Sequence, residues 1–263
     1  MADQTPLFVP EGPSWRPSQA ASGPFAGLQG GGLAGLMLTQ TERSGQVEGL
    51  GRPTNVTTHF LRPAPIAALR IDVELIRRGR RVSIMDAICR SAGDHVVAMQ
   101  RTTFMSGWQE AMPRASELDP SAFQCTGVDP AGFDPFPHWN VKKDEWMWTS
   151  METRKDARGR AWFRLQRPLV EHASVFAATL PAADWAHGIV PLKLDSRGST
   201  LGIPNTELCV VFSRPPQGQW IGLDASRVIG KDGIGGGWAT LSDTIGPFGA
   251  SLMSFAVITQ THP

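Results

Sequence analysis

The chain has 263 residues, 41% of them apolar and 19% charged, with a net charge of +1. That balance excludes a disordered polymer, and the near-neutral charge excludes a nucleic-acid groove, which needs a basic excess. No apolar run is long enough to span a bilayer, so no membrane insertion is expected.

Residues 1–23 are rich in Pro, Ser and Gln and are expected to form an irregular leader. They lack a basic start followed by an apolar core, which predicts no secretory signal and a cytoplasmic location. Gly30-Gly31-Gly32 then opens a stretch from Leu33 whose apolar spacing predicts a helix of about three turns. Strands are predicted at 56–61, 69–75, 82–89 and 96–104. In the second of these, Leu69, Ile71, Val73 and Leu75 alternate with Arg70, Asp72 and Glu74, the mark of a half-buried antiparallel strand. The connections are too short for parallel crossovers. Residues 106–150 carry five prolines and read as a linker or insert, in which Trp139, Trp146 and Trp148 suggest a packed portion. A strand at 161–165, a helix-like stretch at 172–185 interrupted by Pro181, and strands at 208–212, 220–228, 238–241 and 248–258 complete the pattern.

Phe60-Leu61-Arg62-Pro63 returns as Phe212-Ser213-Arg214-Pro215, an offset of 152 residues, with the same order of pieces around each copy. Two copies of one α+β domain are therefore expected, at 24–112 and 151–263, joined through 113–150, with edge strands able to pair into one sheet. Cys89, Cys125 and Cys209 are odd in number and widely spaced. Cys89 and Cys209 fall in strand-like runs and read as small buried hydrophobes of a reducing compartment.

Gly30-x-Gly32-x-x-Gly35 fits a dinucleotide fingerprint in its letters, but no strand feeds it and no βαβ unit follows. Its glycines suit the close approach of a backbone or ligand to a helix start whose N–H groups are free. The 152 offset places Gly32 on Asp184. That carboxylate stands among Ala183, Trp185 and Ala186, where apolar burial would raise its pKa and poise it as a base. It could equally cap a helix. His187, three residues on, could share its helix face. Asn205 reads as a turn former or a water-holding amide, and Ser254 as a buried, bonded hydroxyl or a nucleophile with a base in reach. Arg77, Arg78, Arg80 and Arg81 form a charge run at a hairpin turn, a solvated edge or a contact for a phosphorylated ligand.

Gly30-Gly-Gly-Leu-Ala-Gly35, His59-Phe-Leu-Arg-Pro63 and Val73-Glu-Leu-Ile-Arg-Arg-Gly-Arg80 resemble the medium-chain acyl-CoA thioesterase II family. So do Ala183-Asp184, Asn205 and Phe212-x-Arg214-Pro215. The likeness runs over 24–105 and 160–258. It implies a double hotdog, in which two helices are each wrapped by an antiparallel sheet and the sheets join edge to edge. It also implies hydrolysis of an acyl-CoA by a polar trio: Asp184, Asn205, and a Gln position that falls on Ser254. Ser is a departure there, because it reaches less far and offers one donor rather than two. Gly31 or Gly32 would supply an oxyanion amide, with His187 and Arg80 as further substrate contacts. No metal or bound cofactor is implied, since coenzyme A belongs to the substrate, and a homodimer or larger homo-oligomer is expected. A non-catalytic acyl-CoA-binding module is the alternative. A hotdog hydratase or dehydratase fits less well, because Asp184-Trp-Ala-His187 lacks the Asn-Pro pair and the five-residue spacing of that class.

Overall fold

The computed structural model describes residues 5–107, 128–136, 144–190 and 200–260. Cys125 and Trp139 lie outside them. The first half contains β1 (Phe8–Glu11), β2 (Ser14–Pro17), α1 (Gly30–Glu48), β3 (Arg52–Phe60), β4 (Arg70–Arg77), β5 (Val82–Ser91) and β6 (His95–Met105). Then follow β7 (Asp134–Pro135), β8 (Met151–Lys155), β9 (Ala161–Leu165), α2 (Val175–Ala183) and α3 (Ala186–Ile189). The chain continues through β10 (Thr200–Gly202), β11 (Glu207–Phe212), β12 (Ile221–Ile229), β13 (Ile234–Asp243), β14 (Gly246–Ala256) and β15 (Ile258–Gln260).

Eleven strands form one antiparallel sheet in the order β4-β5-β6-β3-β11-β14-β13-β12-β9-β8-β7. The two halves join where β3 pairs with β11, so the expected edge-to-edge double hotdog is the observed architecture. Thr57 faces Cys209 at the join, with Thr57 Oγ1 3.4 Å from Cys209 Sγ. These two residues are 152 apart, so the sequence offset is the register of the internal two-fold. Shifting β5 by the same 152 residues gives the bounds of β13.

The helices do not follow that offset. α1 starts after the N-cap Gln29, whose side chain accepts from the Gly32 N–H; α2 starts after the N-cap Ser174, whose side chain accepts from Ala177 N–H. Two residues before each cap the backbone is left-handed, at Gly27 (φ 95°) and His172 (φ 61°). The loop–helix units therefore repeat at 145 (29 to 174), and Asp184 corresponds to Thr39 rather than to Gly32. The sequence comparison reached Asp184 through a register that holds only for the strands.

Three other expectations change. The leader is a hairpin, β1 and β2, whose Leu7, Phe8 and Trp15 are buried in the core. Its turn sits at Gly12 (φ 58°) and its four prolines mask the strand pattern. α1 is 19 residues long rather than about three turns, running through Gly45 to end at Gly49, left-handed at φ 66°. β13 runs back through Gly235-Gly236-Gly237, where a Cβ on Gly237 would lie 2.9 Å from His187 Cβ. Glycines at these positions carry no apolar alternation, so the strand was invisible to periodicity. Trp146 and Trp148 of the insert are buried in the core, as expected of a packed portion.

α1 and α2 cross at backbone distance. A Cβ on Gly35 would lie 2.7 Å from the Ala177 carbonyl oxygen and 2.7 Å from Leu169 Cδ2; one on Gly31 would lie 2.3 Å from Leu180 O. Pro181 has no N–H, so the Ala177 carbonyl lacks its usual helical donor and is left to face Gly35. Helix propensity alone would make Gly35→Ala stabilising by about 1 kcal/mol. The contact reverses that sign: Gly35→Ala should lose roughly 1–3 kcal/mol in urea unfolding, as overpacked sites do.

Candidate active site

Asp184 follows the last residue of α2 and is 5% exposed. Its Oδ2 accepts a hydrogen bond from Gln29 Nε2 at 2.8 Å, and its Oδ1 accepts from Asn205 Nδ2 at 2.8 Å. The Gly31 backbone N–H faces the same carboxyl and favours its ionised form. Burial pushes its pKa up to about 6, against the opposing pull of the Gly31 and Asn205 donors.

Gln29 was not singled out by the sequence, yet it ties the two halves together at this point. It is 2% exposed. Its Oε1 accepts from the Gly32 N–H at 2.5 Å, while Nε2 donates to the Pro181 carbonyl at 3.0 Å as well as to Asp184. With an N–H on one side and two acceptors on the other, its amide orientation is fixed. The available signal was a polar residue immediately before a glycine-led helix, the place of an N-cap.

These groups line a cavity of about 310 Å³ with Gly30, Leu33, Phe60 and His187. Beside Asp184, Trp185 packs edge-on against Trp146 and Trp148, at 6.0 and 5.1 Å between ring centres. The insert thus supplies apolar packing for the residue next to Asp184.

Asp184 and Asn205 come together as expected, but Asn205 grips the carboxylate itself. Ser254 does not join them. Phe255 points inward from β14, so Ser254 points outward, where its hydroxyl and N–H both donate to Glu207 Oε1. The amide expected on the last strand is absent there, and the second amide on Asp184 comes instead from Gln29. Gly31 and Gly32 do not line the cavity; the Gly31 N–H faces Asp184 and the Gly32 N–H is held by Gln29. Of the three glycines at the start of α1, Gly30 lines it. His187 does line the cavity, but its Nε2 donates to Ile203 O at 2.8 Å and its ring stacks on Phe255. Burial drives its pKa down to about 4, leaving it neutral at pH 7. Arg80 lies on the exposed β4–β5 hairpin in a separate hollow with Arg77 and Arg81. The arginine on the lining of the Asp184 cavity is Arg62, which is exposed. No ion pair of Arg62 occurs among the described residues, whereas Arg214, its counterpart at 152, is locked onto the buried Asp243.

Another buried carboxylate lies along α1. Glu42 is 8% exposed and accepts from the Ser174 hydroxyl, and burial raises its pKa from 4.5 to about 7. Because the folded state holds this proton more tightly, the group's contribution to stability is full below pH 4.5 and is lost as pH rises through about 7. Glu42→Gln keeps the hydrogen bond and removes the titration. Thermal melts should show wild type losing stability relative to Glu42→Gln across that window, and parallel curves would contradict the assignment.

The N-terminal domain of the acyl-CoA thioesterases matches residues 13–105, and the C-terminal domain matches residues 109–252. Among solved structures, a hot dog fold protein of unknown function from Alicyclobacillus acidocaldarius aligns with a TM-score of 0.69 at 18% identity, covering 99% of this chain and 98% of its own. The acyl-CoA thioesterase II TesB2 from Mycobacterium marinum aligns at 0.63 with 16% identity, covering 100% of this chain and 98% of its own. A provisionally assigned thioesterase from Novosphingobium aromaticivorans aligns at 0.70 with 15% identity, covering 95% and 98%. At these identities the structures speak for the fold. No curated protein matches the chain by sequence.

Proposed function

The chain belongs to the acyl-CoA thioesterase family, and on that premise we propose that it hydrolyses an acyl-CoA to free acid and coenzyme A with Asp184 as general base. The observation that carries the reading is the state of that carboxylate. An ionised carboxylate has about four acceptor positions. Gln29 and Asn205 occupy one on each oxygen, and the Gly31 N–H faces the same carboxyl. A position left over on the carboxylate is available to a water inside the cavity.

Water attacks the thioester carbon as Asp184 takes one of its protons, a step in which a positioned base contributes typically 10²–10⁴-fold. The carbonyl oxygen becomes an oxyanion. The first N–H of α1, at Gly30, lines the cavity and is the donor assigned to it. Collapse of the tetrahedral adduct breaks the C–S bond, and the proton held by Asp184 passes to the leaving thiolate. Gln29 and Asn205 act as positioning residues that hold both carboxylate oxygens in place. Leu33 and Phe60 offer the acyl chain an apolar wall, and Arg62, without an ion pair among the described residues, is the cation for the phosphates of coenzyme A. Trp238 and Leu252, paired on adjacent strands with Val211 nearby, leave an exposed apolar strip on the sheet, which supports homo-oligomer assembly within this reading.

Thiol release from a panel of acyl-CoA esters tests the reaction. Asp184→Asn should lower kcat by roughly 100-fold. Equal rates for wild type and variant would refute the base assignment, and tight binding without any release would favour a non-catalytic module. In wild type, kcat/KM should rise with pH through a midpoint near 6, because only the ionised carboxylate accepts a proton. Arg62→Ala should raise KM for acyl-CoA by about tenfold, the loss expected of one charge-assisted contact. It should leave the rate on a thioester lacking the nucleotide unchanged; an equal loss on both substrates would remove Arg62 from phosphate recognition.

A further inference from the structure

The internal repeat places a second cavity on the other side of the two-fold. It measures about 820 Å³ and lies against α2 and the loop before it. At the offset of 145, its lining residues Val170, Ser174, Val175 and Ala178 stand where Phe25, Gln29, Gly30 and Leu33 line the Asp184 cavity. At the strand offset of 152, its Pro216 stands where Ala64 lines the other. The two cavities are therefore copies of one site. Each opens beside a left-handed residue, an N-cap side chain that accepts from the third helical N–H, and the first turn of a helix. Each cap also reaches a buried carboxylate on the opposite helix: Gln29 bonds Asp184, and Ser174 bonds Glu42.

The copies differ in two ways. Leu33 is replaced by Ala178 and Phe25 by Val170, which widens the second cavity. The hydrolytic groups are missing from it. Asp184 corresponds to Thr39, whose hydroxyl is turned back onto Gly35 O at 2.9 Å. Asn205 corresponds to Pro53, and the match is fixed by register, since Asn205 pairs with Phe255 and Pro53 with Phe104 in the equivalent strands. Proline has no side-chain amide. What persists is the shape: an apolar wall of Leu169, Val175 and Ile221, with Arg164 and His172 also on the lining. Both volumes fall in the range of about 300–1,000 Å³ usual for small-molecule sites.

We propose that this second cavity is a non-hydrolytic acyl-CoA site, binding a ligand of the same class as the substrate through the duplicated loop–helix pocket. It rests on the thioesterase reading for the identity of that class. Calorimetric titration with S-octyl coenzyme A, a thioether that cannot be hydrolysed, tests it. Wild type should bind two molecules per chain. Ala178→Trp fills the second cavity and should reduce the stoichiometry to one while kcat for thioester hydrolysis is unchanged. Val175→Trp, at a position 43% exposed and so tolerant of bulk, should do the same if Ala178→Trp fails to fold. A single site in wild type that neither substitution touches, with hydrolysis intact, overturns the second site and leaves the thioesterase reading standing. Two sites without thiol release from any acyl-CoA overturn the hydrolase and keep the second site. No binding overturns both.

Discussion

The close crossing of α1 and α2 is the constraint on which the site depends. Two helices packed through ordinary side chains stand about 8–10 Å apart. Here Gly31 and Gly35 remove the side chains at the contact, and Leu180 and Ala177 bring carbonyl oxygens into the vacated space. Only at that distance can the cap of α1 span to the end of α2. Gln29 is a short residue doing three things at once: its oxygen caps its own helix, and its nitrogen binds the Pro181 carbonyl and the Asp184 carboxylate. A Cβ at Gly31 would lie 2.6 Å from Asp184 Cβ, so the glycine is required by the carboxylate as much as by the helix.

The resulting environment pulls the carboxylate in two directions. Burial favours the protonated form, while the Gly31 and Asn205 donors favour the ionised one. The compromise near 6 suits a base that works at neutral pH, being ionised yet basic enough to take a proton from water. His187 shows the opposite outcome in the same cavity. It has no carboxylate partner among the described residues, one ring nitrogen is spent on Ile203 O, and burial leaves it neutral. Proximity to Asp184 in sequence therefore did not make the two a catalytic pair.

The parts of the fold legible in the sequence were those with a strong period. The strand of Leu69, Ile71, Val73 and Leu75, and the meander around it, follow from alternation alone. The 152 offset survives as the actual register at Thr57 and Cys209. Less legible were elements whose reason is a contact rather than a pattern. β13 hides in three glycines because His187 and Phe255 need the room. Ser254 was placed by counting along a strand, and an alternating strand turned it to the wrong face. Gln29 went unnoticed because its value lies in a residue 155 positions away, and nothing local in Leu28-Gln29-Gly30 announces that partner.

The seven-residue difference between the helix and strand offsets explains how one half could specialise. Seven residues are close to two helical turns, so sliding the helix unit by that amount against the strands preserves which face is buried. It changes which residue meets which strand. In the second half the slip brings a carboxylate to the end of α2, beside the turn that carries Asn205. In the first half the corresponding positions are Thr39, satisfied by its own helix, and Pro53, which can donate nothing. A duplicated scaffold thus keeps both apolar pockets, because the core needs both helices, but keeps the polar constellation in one. Packing and polar placement are under separate control: the two-fold is maintained by the sheet, and the side that carries the polar constellation is chosen by the phase of the helix against it.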